Sequence, residues 1–369
     1  MAGEASVSMM LLLLASLLIC FLFEGVIADG GYDGQLSDLR QRVQHLEKQL
    51  SMSNSNMNNN AKLYHRCPYG TQLGNARGFV ICLRDAFSLI DEEIRRSGKW
   101  EDCEVLMEIS SVLGQQVHVL DVGANIGACT MALAAAGHHV VAVEPHPKLF
   151  SQLNASVALN GFPSFRHGRH HGAVDVHRVA LTSKEKAGRV LLWERPRNPA
   201  ATFTMSLDAA AAASSVKDIP ATYYTSESAD AVTLDDTFFW QGRGPRSFDL
   251  VKIDVNGGEL DVVEGAMRTF LRYPPKAFKF EFWPANIRKL DGDPLKLLSF
   301  FLENGYHLWV LQGTAGSEST FRILDEGQSL LDHLARIEKR FIDVIALSSA
   351  RFPPKNSMRQ SLGLAELSL

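Results

Sequence analysis

The sequence has no excess of basic residues, since 37 Lys and Arg stand against 41 Asp and Glu and the net charge is -4. Binding along a nucleic-acid backbone usually requires a basic surplus, so nucleic acid is a poor candidate partner. Only five cysteines occur, and no CxxC or Cys/His spacing suggests zinc or another metal site. No repeat of about 20 to 50 residues occurs either, which excludes solenoids and propellers. The 369 residues are 46% hydrophobic, which is enough for a sizeable globular core.

Charge is also missing from residues 5–23, which contain "MMLLLLASLLICFLF". We expect residues 1–28 to target the chain to a membrane, either as a retained signal anchor or as a signal peptide cleaved near Ala28. Both alternatives predict a body in the secretory lumen. The protein would then be a single-pass type II, Golgi-like membrane protein or a secreted one.

Residues 29–60 have the pattern of a stem. Within 36–50, Leu and Val recur at the 3,4 spacing of a short coiled coil, which would allow a homo-oligomer, although an ordinary amphipathic helix fits equally well. The polar run "SMSNSNMNNN" then predicts a linker. We interpret residues 61–116 as a helical extension of the following domain and residues 351–369 as a C-terminal tail.

Four cysteines lie beyond the apolar segment. An oxidising lumen permits one disulfide among Cys67, Cys82 and Cys103, and all three pairings remain open. Cys129 lies in an apolar helical pattern, so we interpret it as a small hydrophobic residue.

From residue 117 the pattern alternates between strands and helices. "VHVLDVG", "ACTMALAAAG" and "HHVVAVE" predict strand, helix and strand. Further strands are predicted at "FDLVKIDV", "AFKFEFWP", "YHLWVLQ" and "FIDVIALSS", with helices over 259–271 and 295–302. Continuous apolar strands joined by helices predict an α/β fold with a mostly parallel, doubly wound sheet. Residues 195–231 interrupt this pattern and are interpreted as a long loop that covers an acceptor.

Ligands of such sheets bind at the carboxyl ends of the strands. Gly123 allows the chain to turn after the first strand, and Gly127 allows close helix packing. Glu144, at the end of the second strand, can accept both hydroxyls of a ribose, and Asp121 can face an ammonium group or ordered water. A dinucleotide site needs GxGxxG, whereas this chain has Asn125 in place of the second glycine. The spacing therefore favours a nucleoside cofactor without a pyrophosphate.

Three stretches resemble the FkbM-type methyltransferases: "LDVGANIGACTMALA", "AVEPHPKLFSQLNASVALNG", and "VTLDDTFF" followed by "FDLVKIDVNGGELDVVEGA". The resemblance spans residues 117–349 and implies a seven-stranded class I methyltransferase domain at 117–350 that uses S-adenosyl-L-methionine. By position it implies cofactor contacts at Asp121, Gly123, Ala124, Asn125, Gly127 and Glu144, with the adenine near Ala180.

Candidate catalytic residues lie in the same region. Asp254 ends an apolar strand and is expected at the reacting centre, Glu259 falls in the next helical turn, and His146 is a candidate base. The chain reads "DVNGGE" where the family commonly has a further carboxylate, so Asn256 leaves open whether activity is retained. The predicted reaction is O-methylation of a glycan or another small hydroxyl acceptor. An NAD-dependent oxidoreductase or epimerase, or a catalytically silent cofactor-binding protein, are the alternatives.

Overall fold

A computed structural model describes residues 67, 72–74, 78–84, 88–164, 172–195, 198–206, 224–237, 247–312, 320–324 and 341–350. The expected membrane segment, the 36–50 helix, the polar linker and the C-terminal tail lie outside these residues. None of the helices within the described ranges combines the length and the apolar character that a bilayer span requires.

The extension ahead of the first core strand contains more than the expected helices. A short antiparallel hairpin pairs β1 (Gln72–Gly74) with β2 (Val80–Cys82). Two helices follow, α1 (Leu89–Ser97) and α2 (Glu101–Leu113).

The predicted strand–helix–strand unit is confirmed. Strand β3 (His118–Val122) leads through α3 (Ala128–Ala135) into β4 (His139–Val143), and α4 (Pro147–Asn160) then leads into β5 (Ala173–His177). The last four residues of β3 and of β4 are all buried, and all of them except Asp121 are apolar, as a parallel sheet covered on both faces requires.

Among the described residues one disulfide lies within the extension and a second joins the extension to α3. Cys67 pairs with Cys82, which is one of the three pairings that the sequence left open. Cys103 of α2 pairs with Cys129 of α3, so the interpretation of Cys129 as a plain hydrophobic residue was wrong. The two helices pack side by side and bring these Cα atoms to 4.7 Å, a separation that a disulfide spans.

Residues 195–231 were wrongly interpreted as one long loop. After β6 (Ala180–Leu181), the strands β7 (Gly188–Arg195), β8 (Asn198–Ser206) and β9 (Tyr224–Val232) form a separate four-stranded sheet in the order β6-β9-β7-β8. We call it the small sheet. Its own core is made largely of alanine and valine, and such small side chains weaken the alternation by which strands are recognised in a sequence.

The remaining elements contain the predicted strands and helices in the predicted order, together with a helix, α7, and a strand, β13, that were not predicted. They are β10 (Leu250–Ile253), α5 (Glu259–Gly265), α6 (Met267–Arg272), β11 (Ala277–Phe282), α7 (Pro284–Lys289), α8 (Pro294–Glu303), β12 (Tyr306–Gln312), β13 (Thr320–Leu324) and β14 (Ile342–Ser348). The single helix expected over 259–271 is divided at Ala266, where φ is -113°.

The main sheet has the order β13-β12-β14-β11-β10-β3-β4-β5. Strands β5, β4, β3, β10 and β11 pair in parallel, whereas β14 is antiparallel to both of its neighbours. The fold is therefore a class I methyltransferase-like α/β fold with a mostly parallel sheet. Within the described residues the sheet has eight strands instead of the expected seven, because β13 adds to the edge. After β3 the chain adds β4 and β5 on one side of the sheet, whereas β10 and β11 are added on the other side. The strand order thus switches between β3 and β10, and such a switch point is where a doubly wound sheet opens a ligand crevice.

Candidate functional site

A cleft opens at the carboxyl ends of β3, β4 and β10. Of the ten site residues expected from the sequence, half line this cleft: Gly123, Asn125, Glu144, Ala180 and Asp254. The others do not line it: Asp121, Ala124, Gly127, His146 and Glu259.

The glycine loop after β3 is shaped by close approaches of neighbouring chain. Gly123 has φ +78°, and a side chain there would overlap the carbonyl oxygen of Asp254. The backbone N–H groups of Gly123 and Ala124 both donate to the carbonyl of Val143 at 3.0 Å. At Gly127, with φ +88°, a Cβ would lie 2.5 Å from the side chain of Leu153 in α4. The loop is thus held against both neighbouring strand ends, and only glycine fits at these two positions.

Glu144 connects the glycine loop to the start of α4. Its carboxylate accepts the N–H of Asn125 at 2.9 Å through Oε2 and the N–H of His146 at 2.8 Å through Oε1. Burial raises the pKa of Glu144, although the two backbone donors oppose this effect. Because a carboxylate can accept about four hydrogen bonds, capacity remains for the two hydroxyls of a ribose.

Asp121 lies behind the loop and faces a lysine of the chain itself. Its Oδ2 accepts the hydroxyl of Thr130 at 2.6 Å, and its Oδ1 is 3.3 Å from Nζ of Lys252, its direct neighbour on β10. The same ammonium donates to the carbonyl of Gly123 at 3.0 Å and lies 3.5 Å from Oδ2 of Asp254. Asp121 therefore supports the floor of the cleft through Lys252.

Lys252 was missed in the sequence, although a signal was present. A single lysine within an apolar strand is costly to bury unless it is paired. Burial alone would lower the pKa of Lys252, but Asp121 and Asp254 outweigh it and the pKa is raised. On the adjacent strand β11, the residue paired with Lys252 is Lys279. Nζ of Lys279 lies 2.7 Å from Oδ1 of Asp343 and 3.2 Å from Oδ1 of Asp102. The two buried lysines thus balance carboxylates from four separate segments.

The loop after β10 presents Asp254 to the cleft, with a side chain that is 32% exposed. Asn256 has φ +56°, and its Nδ2 donates to the carbonyl of Thr202 in the small sheet at 3.1 Å. The carbonyl of Asn256 accepts from Nδ2 of Asn286 at 2.9 Å. Asn256 tolerates this left-handed backbone better than most residues and ties the loop to β8.

Glu259 is fully buried beneath that loop. Its Oε1 accepts the N–H groups of Val255 and Gly257, both at 3.1 Å. Burial raises the pKa of Glu259 to about 7, and the nearby Asp254 adds to this effect. Glu259 therefore shapes the backbone that carries Asp254 and does not itself reach the cleft.

His146 is also fully buried, and both ring nitrogens are engaged. Its Nδ1 caps α4 by accepting the N–H of Lys148 at 3.2 Å and that of Leu149 at 3.5 Å. Its Nε2 contacts Oε1 of Glu194 in β7. The imidazole thus joins the start of α4 to the small sheet.

The small sheet supplies a wall that the sequence did not reveal. Thr202 and Thr204 are two residues apart on β8 and both line the cleft. Carboxylates of Glu144, Asp254 and Asp261 line it as well, whereas none of its lining residues in the described ranges is Lys, Arg or His. Within those ranges, no cluster of His, Cys, Asp and Glu could hold a metal ion.

Comparison with known families gives a match to the methyltransferase FkbM domain over residues 121–308. Among solved structures, a methyltransferase FkbM from Methylobacillus flagellatus KT is 14% identical with a TM-score of 0.35, and the match covers 64% of this chain. This chain spans only 45% of that protein. The magnesium protoporphyrin IX methyltransferase of Synechocystis PCC 6803 with bound SAM is 10% identical with a TM-score of 0.32, and the match covers 71% of this chain and 84% of that one. A comparison with curated protein sequences gives no match.

Proposed function

Since the chain belongs to the FkbM family of methyltransferases, we propose that it transfers the methyl group of S-adenosylmethionine to an oxygen of a sugar or another small hydroxyl compound. The observation that carries this proposal is the joint position of Glu144 and Asp254 in one cleft at the switch point of the sheet.

The residues of the cleft fit an adenosyl ligand. Glu144 is a buried carboxylate with acceptor capacity for a ribose, and Gly123 leaves space beside the backbone of Asp254. Among the cleft residues that the structure describes, no cation is available to neutralise a pyrophosphate, which argues against a dinucleotide. Ala180 also lines the cleft, in agreement with its assignment to the adenine. When bound, the cofactor would supply an electrophilic methyl group.

The protein's own contribution would be alignment and one proton transfer. Alignment of nucleophile and methyl group is worth as much as ~7 to 11 kcal/mol in favourable intramolecular reactions. We assign Asp254 as the group that accepts the proton of the acceptor hydroxyl, because it is the carboxylate at the end of β10 that lines the cleft. Lys252, 3.5 Å from its Oδ2, would hold that carboxylate in place. Asn256 is not needed as a base in this scheme, since its side chain bonds to Thr202.

An uncharged, hydroxyl-rich acceptor is supported by the rest of the wall. Thr202 and Thr204 can both donate and accept hydrogen bonds, as a sugar requires. Asp261 adds a further carboxylate to the cleft lining, and its Oδ2 lies 2.8 Å from Nζ of Lys186. A phosphorylated or sulfated acceptor would meet repulsion from Asp254 and Asp261.

Residence in the secretory pathway is part of the proposal. The Cys67–Cys82 and Cys103–Cys129 disulfides support an oxidising compartment. The uncharged segment at residues 5–23 would direct the chain there, as a type II anchor or as a signal peptide cleaved near Ala28.

Calorimetry on the purified full-length chain tests the cofactor. S-adenosylhomocysteine, the demethylated product, should bind, and NAD should not. Binding of NAD alone would replace the proposal with an oxidoreductase.

Incubation with S-adenosylmethionine and a panel of neutral methyl glycosides should then add about 14 Da to one of them, the mass of a CH₂ group. The Asp254→Asn variant should bind S-adenosylhomocysteine normally but lose most turnover at saturating cofactor. Full turnover in that variant would remove Asp254 as the base. Cofactor binding without product, for every acceptor, would favour the catalytically silent alternative.

A further inference from the structure

A chain of buried contacts runs from the small sheet to the glycine loop. Glu194 of β7 contacts Nε2 of His146, and the N–H of His146 donates to Oε1 of Glu144 at 2.8 Å. The other oxygen of Glu144 accepts from Asn125 at 2.9 Å. Glu194, His146 and Glu144 are exposed by only 2%, 0% and 5%. Water therefore competes little with these contacts.

The protonation of the ring follows from its partners. Backbone N–H groups of Lys148 and Leu149 both point at Nδ1 of His146, so this nitrogen must be an acceptor. A neutral imidazole then carries its proton on Nε2, where it donates to the carboxylate of Glu194. Glu194 thus selects the tautomer that caps α4, and it fixes the ring and the backbone N–H that orients Glu144.

We propose that Glu194 is a positioning residue for cofactor binding, which acts through His146 on the ribose-binding carboxylate of Glu144. This inference rests on the proposed function. It extends that function by assigning the small sheet a second role: the sheet supplies Thr202 and Thr204 to the cleft and also positions Glu144, which is proposed to bind the cofactor. Asn256 makes a second tie between the same sheet and the loop of Asp254. The small sheet therefore contacts both the segment that carries Glu144 and the loop that carries Asp254.

The test measures binding of S-adenosylhomocysteine to the full-length chain by calorimetry, so no acceptor has to be known. Glu194→Ala should weaken binding by roughly 3- to 30-fold, the range typical of residues that act on a site through neighbours. Glu194→Gln retains an acceptor for Nε2–H and should stay within about threefold of the wild type.

His146→Asn separates the two roles of the ring. An asparagine still caps a helix and keeps the backbone N–H for Glu144, but it cannot reach Glu194. This variant should lose as much affinity as Glu194→Ala, and the double variant should lose no more than either single one. If Glu194→Ala does not fold, His146→Asn and the Gln variant decide the matter.

Val190→Ala is the matched control, because Val190 is buried in the core of the same strand but lies outside the chain of contacts. It should lower the melting temperature and leave the affinity unchanged. If Val190→Ala lost as much affinity as Glu194→Ala, the effect of Glu194 would be that of any buried residue of the strand and the inference would be overturned. Unaltered binding in Glu194→Ala would overturn it too. Additive losses in the double variant would also overturn the inference. If the wild-type protein binds no S-adenosylhomocysteine, the proposed function itself is wrong. If the wild type binds normally and one of the variants gives a contradicting result, only the role of Glu194 is wrong.

Discussion

The buried carboxylic acid of Glu259 should make the protein less stable as pH rises. Its pKa increases from 4.5 to about 7 on folding, chiefly because burial disfavours the charged form. An acid with a raised native pKa stabilises the fold fully below its unfolded pKa and loses that contribution as pH rises through the native one. Each pKa unit corresponds to ~1.4 kcal/mol, so the rise from 4.5 to about 7 costs about 3 kcal/mol of unfolding free energy between pH 4 and pH 8.

Glu259→Gln isolates this contribution. The amide keeps an oxygen for the N–H groups of Val255 and Gly257 but cannot ionise. Urea unfolding at pH 4 and pH 8 should show a decline in stability about 3 kcal/mol smaller in the variant than in the wild type. Glu303→Gln, at an exposed position of α8, serves as the control and should change nothing. If the unfolding free energy of Glu259→Gln fell as steeply with pH as that of the wild type, Glu259 would not be the cause of the pH dependence, and its ionisation in the folded protein would cost little.

Three further outcomes follow from the geometry of the site. Glu144→Ala should weaken S-adenosylhomocysteine binding at least about tenfold, since charge-assisted hydrogen bonds to the ribose are lost; unchanged affinity by calorimetry would refute the assignment. Gly123→Ala should cost about 2 kcal/mol or more in urea unfolding, because the added methyl group overlaps the carbonyl of Asp254 at a positive φ; near-native stability would contradict that close approach. Cys103→Ser opens a disulfide with a sequence separation of 26 and should lower the unfolding free energy by about 3 kcal/mol, and a chain equally stable with and without reductant would argue against this crosslink.

Local pattern was sufficient for the part of the fold that surrounds the glycine loop. Strands β3 and β4 are continuous apolar runs, and the helix between them was recognisable from its small residues, so their order and the positions of Glu144 and Asp254 could be predicted. The strands of the small sheet could not, because Ala229 and Ala231 bury little surface and resemble a loop in sequence.

The partners of buried charges were also beyond sequence reasoning. Lys252 is a visible anomaly in an apolar strand, but its pairing with Asp121 depends on strand register, which only the assembled sheet determines. For the same reason His146 was considered a base, whereas folding directs its ring to Glu194, a residue of a sheet that the sequence did not reveal. Cys129 was similarly ambiguous, since a free and a bridged cysteine are equally apolar in a helix pattern.

The bridge between Cys103 and Cys129 has a practical consequence for anyone who prepares this protein. Cys129 is the second residue of α3, directly after the glycine loop, so reduction of the bridge removes a covalent restraint on the helix that follows this loop. We therefore expect protein produced in a reducing cytosol, or stored with dithiothreitol, to bind S-adenosylhomocysteine more weakly than the disulfide-bonded protein. An inactive preparation should be checked for free thiols before its failure is attributed to the wrong acceptor.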